Sequence, residues 1–273
     1  MPGKSLAISL PALLAATNIC AAGEALVIEF TSAALERQAK FSVFVPQGET
    51  PSEGWPVLYL LHGAYGQHTD WWSNTEVCKT AQELDVMVVF PDGGQFGWYM
   101  DSPASPEDRY ETHVIDELIP LVDRTFRTRA DRAHRGICGL SMGGHGAITL
   151  ATKHPALFTS ASSLSGILEL SNHVKEWSER DLLGTLIDAP DYWAANSAFE
   201  LAPRLVDADV RIFLDCGDSD ETGATADNRV FHQRLEELSV EHRYVERPGG
   251  HSWEYWGENI AEHVRWHAEG FGE

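Results

Sequence analysis

Positive charge is what this chain has least of. Its 273 residues include 20 Lys and Arg against 41 Asp and Glu, a formal net charge of −21, and only five are lysines (Lys4, Lys40, Lys79, Lys153, Lys175). A surface so acidic repels phosphate backbones and anionic lipid, which argues against nucleic-acid and membrane-surface roles. An acid-rich, Lys-poor surface also fits adaptation to salt, and equally an ordinary acidic cytoplasmic protein. Cysteine is scarce too. Cys20, Cys78, Cys138 and Cys216 form no C-x-x-C pair, so neither a disulfide framework nor a zinc ribbon is expected. Cys138 and Cys216 sit in apolar runs, where a reduced buried thiol is the expected state. No stretch of about 18 uninterrupted apolar residues is present, which excludes a spanning helix. The 23 Gly and 13 Pro follow no period, and 43% of residues are hydrophobic, which excludes collagen-like and disordered chains. A globular protein able to bury a full core remains.

The first 24 residues stand apart. Lys4 precedes an apolar stretch from Leu6 to Ala16, and Ala21-Ala22-Gly23 follows, loosely a secretory leader. One charge before the stretch and Pro11 within it fit a plain N-terminal extension equally well. The expected location is the cytoplasm, or a secreted or periplasmic one if this segment is a leader.

From residue 25 to 273 we expect one domain in which short apolar runs alternate with helical patterns. Ala25–Phe30 and Lys40–Pro46 read as opening strands joined through Leu35-Glu36-Arg37. Pro56–His62 and Asp85–Pro91 read as strands buried on both faces. Pro106–Arg127 reads as an amphipathic helix, with Val114, Leu118, Leu121, Val122 and Phe126 on its apolar side. A strand at Ala133–Leu140, a helix from Met142 to His154 and a strand at Leu157–Ser165 follow. The last strands are expected at Val210–Cys216 and Glu241–Glu246, with a helix at Asn228–Leu238 between them. Such alternation implies an α/β protein with a mostly parallel sheet covered by helices on both faces. About 40 residues, 167–207, exceed one crossover and predict a small helical insertion over the carboxyl edge of the sheet, where ligands bind in open α/β sheets.

Gly139-Leu140-Ser141-Met142-Gly143 carries the chemistry. A G-x-S-x-G pentapeptide gains meaning when a strand precedes it and a helix follows. The nucleophile then sits on a strained turn where side chains at the flanking glycines would collide with it. A serine hydroxyl needs a base. His251, in Pro248-Gly249-Gly250-His251-Ser252-Trp253 directly after the last strand, is the candidate among twelve histidines. His263 and His267 are four apart on the terminal helix, but with no third ligand they read as a solvated face rather than a metal site. His62 is expected to order its loop and His145 to be structural. His113, His154, His232 and His242 are expected at the surface.

In this hydrolase arrangement the acid lies between serine and histidine in chain order. Asp215 belongs to the strand. Asp218 and Asp220 lie in the following loop, and Asp220 is preferred. An oxyanion hole needs two N–H donors: Met142, after the nucleophile, and one from His62-Gly63-Ala64-Tyr65-Gly66, with Ala64 chosen and Tyr65 the alternative.

These segments resemble the esterase D branch of the α/β hydrolases, which includes S-formylglutathione hydrolases, tributyrin-type carboxylesterases, feruloyl esterases and mycolyltransferase-like proteins. The likeness rests on LLHGAYGQHTDWW (60–72), VVFPDGG (88–94), WYMDSP (98–103), ETHVIDELIPLVD (111–123), GLSMGGHGA (139–147), DCGDSD (215–220) and GGHSWEYW (249–256). It implies the α/β-hydrolase fold, a Ser141–His251–Asp220 triad with Asp220 closing a C-G-x-x-D pattern, and Ala64 and Met142 as oxyanion donors. It differs from the family at two places. The residue after the histidine, often Asp, is Ser252. The first oxyanion segment is Ala64-Tyr65-Gly66, without the cysteine usual in the glutathione-thioester branch, which favours the carboxylesterase side. The expected function is therefore a serine carboxylesterase for short acyl esters that uses no metal or cofactor, as a monomer or a homo-oligomer. A thioesterase, a feruloyl or acetyl-sugar esterase and a non-catalytic scaffold are the alternatives. Tyr65, Trp98, Tyr99, Trp177 and Trp193 are the pocket candidates.

Overall fold

The computed structural model describes residues 25–173 and 189–272; residues 1–24, Trp177 and the middle of the expected insertion lie outside them. Eight strands form one sheet in the order β1-β2-β4-β3-β5-β6-β7-β8. They are β1 Leu26–Ser32, β2 Arg37–Phe44, β3 Val57–Leu61, β4 Met87–Pro91, β5 Arg135–Leu140, β6 Ser160–Leu164, β7 Arg211–Gly217 and β8 His242–Arg247. β1 with β2 and β2 with β4 are antiparallel, and every later pair is parallel.

The apolar runs fill the middle of this sheet because both of its faces are covered. Every residue of β3, β4, β5 and β6 is buried. The two-residue period of a strand divides them between two cores. Val57, Tyr59 and Leu61 pack with Val114, Leu118, Val122, Ile148 and Leu150 on one face. Leu58 and Leu60 pack with Val77, Ala81, Trp256, Ile260 and Val264 on the other. The first face thus carries the helices at 110–125 and Met142–Lys153, the second Val77–Glu83 and the C-terminal helix Trp253–Glu269.

Several boundaries differ from the sequence reading for local reasons. β2 starts three residues early, at Arg37, because the turn 33–36 closes at Glu36, whose φ is 50°. β6 begins at Ser160, since Leu157 closes a turn onto the His154 carbonyl. The helix expected from Asn228 starts at Ala224, a turn earlier, directly after Gly223 at φ 92°. The helix expected over Pro106–Arg127 begins at Tyr110 and passes through a π turn, His113–Leu118, before Ile119–Thr125. Pro120 has no N–H and its ring crowds the preceding turn, which a wider turn relieves.

Three histidines expected at the surface are buried. His113 lies 3.0 Å from the Ser32 hydroxyl and 3.1 Å from Glu117, whose carboxylate also accepts the N–H groups of Ala33 and Ala34 at the β1–β2 turn. His263 and His267 are fully buried against the sheet. His263 stacks on Phe213 and bonds to Asp215, and His267 sits between the hydroxyls of Ser160 and Ser162. The apolar stripe of their helix is wide enough to include them, so the helix has no solvated face at these positions. Cys78, Cys138 and Cys216 are buried, and among the described residues no disulfide forms.

Candidate active site

Ser141 stands between β5 and the helix Met142–Lys153 at φ 53°, ψ −120°, a backbone that costs a non-glycine residue about 1–3 kcal/mol. Its own N–H donates to the Leu164 carbonyl on β6 (2.9 Å), and its carbonyl accepts from His145, so the turn is held on both sides. The flanking glycines are required by close approach. A Cβ at Gly139 would lie 2.3 Å from the Gly143 carbonyl oxygen, and one at Gly143 would lie 2.5 Å from that of His62.

His251 reaches the same point from the loop after β8. Asp218 N–H donates to the Arg247 carbonyl and Ser219 N–H to the Gly249 carbonyl, which ties this loop to the one after β7. Ser252, where the resembled family often has Asp, accepts the Tyr255 N–H and caps the C-terminal helix. His251 Nε2 lies 2.9 Å from Ser141 Oγ, and His251 Nδ1 donates to Asp220 Oδ2 at 2.7 Å. Burial pushes the Asp220 carboxyl up. Its hydrogen bonds with His251 and with the hydroxyl and N–H of Thr222 outweigh this, so its pKa falls below the ordinary value and it stays anionic. The geometry lets a proton leave the serine hydroxyl for Nε2 while the acid holds Nδ1–H in place.

The other acids of that segment point elsewhere. Asp215, fully buried, accepts from Tyr255 Oη, from Arg247 (2.9 Å) and from His263 (3.3 Å). Asp218 is exposed and accepts the Ser219 hydroxyl. Another serine–histidine contact, Ser160 and Ser162 with His267, is completely enclosed. Burial pushes the His267 pKa well below the usual range, and none of the three lines the cavity.

Met142 is the first residue of its helix, so its N–H has no carbonyl within that helix to bond. Among the described residues nothing accepts the N–H of Ala64 either, and Ala64 lines the cavity beside Ser141. The alternative, Tyr65, donates its N–H to the Gln95 carbonyl (2.9 Å) and is spoken for. His62 fixes this loop, accepting the Gly93 N–H on Nε2 (2.9 Å) and donating from Nδ1 to the Gly63 carbonyl (2.8 Å). His145 donates to the Asn196 carbonyl, and burial lowers its pKa to about 3.

Ser141 and His251 open into a cavity of about 490 Å³. Tyr65 lines it and is 64% exposed. Trp98, Tyr99 and Trp193 do not line it. All three are buried, Trp98 edge-on to His145 and Tyr99 donating to the His62 carbonyl, so large aromatics near the site went to the core. Ile167, Thr222, Trp253 and Trp256 line it instead. The two tryptophans had a legible signal: they follow His251 closely and stand three apart at the start of a helix, which puts both on one face. Among the described residues no three His, Cys, Asp or Glu side chains are grouped to hold a metal, and no helix is long and apolar enough to cross a membrane.

The Esterase family model matches residues 32–267. Esterase Rv1288 of Mycobacterium tuberculosis is 31% identical over 249 residues, 81% of this chain, and the match spans 54% of that longer protein. The S-formylglutathione hydrolase of Paracoccus denitrificans is 28% identical over 261 residues, covering 85% of this chain and 88% of its own. Among solved structures, an S-formylglutathione hydrolase from Agrobacterium tumefaciens superimposes with a TM-score of 0.80 at 27% identity, over 93% of this chain and 98% of that one. With eight strands in hydrolase order, the G-x-S-x-G turn at their centre and a family match over most of its length, the chain belongs to the Esterase family of α/β hydrolases.

Proposed function

We propose that this protein is a serine carboxylesterase that hydrolyses small, short-chain acyl esters through an acyl-enzyme, without metal or cofactor. One observation carries the reading: Ser141, His251 and Asp220 form an unbroken hydrogen-bonded chain at the base of an open cavity. Ser141 Oγ attacks the ester carbonyl as His251 Nε2 takes its proton. The N–H groups of Met142 and Ala64 receive the developing oxyanion, each worth roughly 3–4 kcal/mol where such donors have been removed elsewhere. The tetrahedral adduct collapses as His251 returns the proton to the departing alkoxide. Water, deprotonated by the same nitrogen, then releases the acid and restores the serine. Asp220 holds the imidazole tautomer throughout and stabilises its charged form.

The relatives' names keep a thioester substrate in view, since S-formylglutathione hydrolysis uses the same groups. The scaffold alternative has less support, because no member of the catalytic set is missing. The stretch 167–207 is short for a full lipase lid, which favours acyl groups of a few carbons. The test is a panel of 4-nitrophenyl esters from acetate to palmitate alongside methyl ferulate and S-formylglutathione, run on wild type and Ser141→Ala. Acetyl to butyryl esters are expected to be turned over fastest, and the variant is expected to be inert while unfolding near the wild-type temperature. Substantial activity in the variant rules the mechanism out; preference for palmitate rules the size class out.

A further inference from the structure

The cavity has two chemically different walls. Ala64 and Ile167 belong to the one that packs on the first core, while Leu140, Trp253 and Trp256 belong to the one that packs on the second, with Trp256 against His251. The Trp256 ring meets the His251 imidazole edge-to-face at 4.9 Å. Trp253 meets Trp256 at 5.3 Å and Trp71 at 5.4 Å, each nearly perpendicular. Both ends of this row are pinned: the Trp71 indole N–H donates to the Leu61 carbonyl (2.8 Å), and that of Trp256 to the Ser165 hydroxyl (3.2 Å). Trp71 and Trp256 are buried, but Trp253 is half-buried and keeps ring surface facing the cavity. A rigid, partly wetted indole is a prepared contact for a flat apolar group, since neither ring has to be ordered on binding.

The direction of proton transfer assigns that wall a substrate half. His251 Nε2 takes the proton from Ser141 Oγ and returns it to the ester's leaving oxygen, so that oxygen passes within hydrogen-bond reach of the imidazole. The leaving alcohol therefore lies on the side of the cavity that His251 shares with the two tryptophans, and the acyl group extends along the other wall.

On the esterase reading above, we infer that Trp253, held by Trp71 and Trp256, is the leaving-group subsite and selects esters of aromatic or other flat apolar alcohols. Benzyl acetate and 2-methoxyethyl acetate test it, because both release acetate and their alcohols are of similar acidity. The expected wild-type kcat/KM favours benzyl acetate. Trp253→Ala lowers that preference about tenfold, the scale of one lost aromatic contact, and Trp253→Phe restores most of it. The ratio of butyrate to acetate 4-nitrophenyl esters, read on the same variants, stays where the wild type has it. If both acetates fall together in Trp253→Ala, or if the acyl ratio moves instead, the tryptophan wall is not the leaving-group subsite. A wild type that hydrolyses neither acetate nor any 4-nitrophenyl ester overturns the esterase reading itself, and the subsite with it.

Discussion

Two aspartates two residues apart have opposite surroundings, and this separates their expected roles. Asp220 is buried, bonds to His251 Nδ1 and is held anionic by that bond and by Thr222. Asp218 is exposed and bonds only within the two loops. Replacing the orienting acid of such a triad by its amide leaves the imidazole free to take the wrong tautomer, a loss of about 10⁴ in kcat in a serine protease. Asp220→Asn is expected to lose several orders of magnitude in kcat with little change in unfolding. Asp218→Asn is expected to lose less than about tenfold, roughly 1.4 kcal/mol. Steady-state rates at saturating ester measure both. At this scale the sequence carried Ser141 and His251 through glycine spacing and loop position. Asp220 was preferred over Asp218 among the loop acids and the family pattern added to that preference, but the chain's path after Gly217 depends on contacts with the loop after β8 that no local signal encodes. The pocket aromatics were illegible for a related reason. Composition shows that Trp98 and Trp193 are large and apolar, but not which side of the sheet or loop receives them.

At the scale of elements, the strand–turn–helix around Ser141 is tightly constrained. Gly143 passes so close to the carbonyls of Leu61 and His62 that a methyl group would lie 2.6 and 2.5 Å from their oxygens, and backbone cannot move aside cheaply. Gly143→Ala is expected to destabilise the fold by about 1–3 kcal/mol, seen as a lower urea midpoint, and to cut kcat sharply because β3 and the nucleophile are pushed apart. An unchanged midpoint contradicts the described packing. The central strands were legible since burial on both faces leaves near-continuous apolar runs, as in VLYLL and MVVFP. The π turn at His113–Leu118 was not, because its cause, Pro120, reads simply as a helix start or break. The burial of His263 and His267 was not legible either: helical spacing places both on one face, but only the hydroxyls of β6 and the Asp215 carboxylate make that face habitable for imidazoles.

For the whole molecule, charge and buried histidine make separable demands. A formal charge of −21 repels itself, and about 1 M salt shortens the Debye length to roughly 3 Å. The melting temperature at pH 7 is therefore expected to rise from low to molar NaCl; a flat or falling curve contradicts a repulsion-limited fold. Burial lowers the pKa of His113, His145, His263 and His267, that of His145 from 6.5 to about 3. Below pH 6.5 the unfolded chain binds protons that these folded imidazoles refuse, so stability falls as pH falls. With repulsion screened by 1 M NaCl, the melting temperature is expected to drop from pH 7 to pH 5, a range in which the depressed carboxylates, Asp220 among them, remain ionised. A rise over that range contradicts the buried neutral histidines.

The catalytic assignment rests on one serine among several that touch a histidine. A fluorophosphonate reacts only with a serine that is activated, reachable and close to oxyanion donors. Mapping its adduct by peptide mass spectrometry therefore asks the question directly. The expected result is a single modified peptide carrying the label on Ser141, lost in Ser141→Ala and strongly slowed in Asp220→Asn. Label on Ser160 or Ser162 beside His267, or undiminished labelling of the Ser141→Ala protein, would contradict the account.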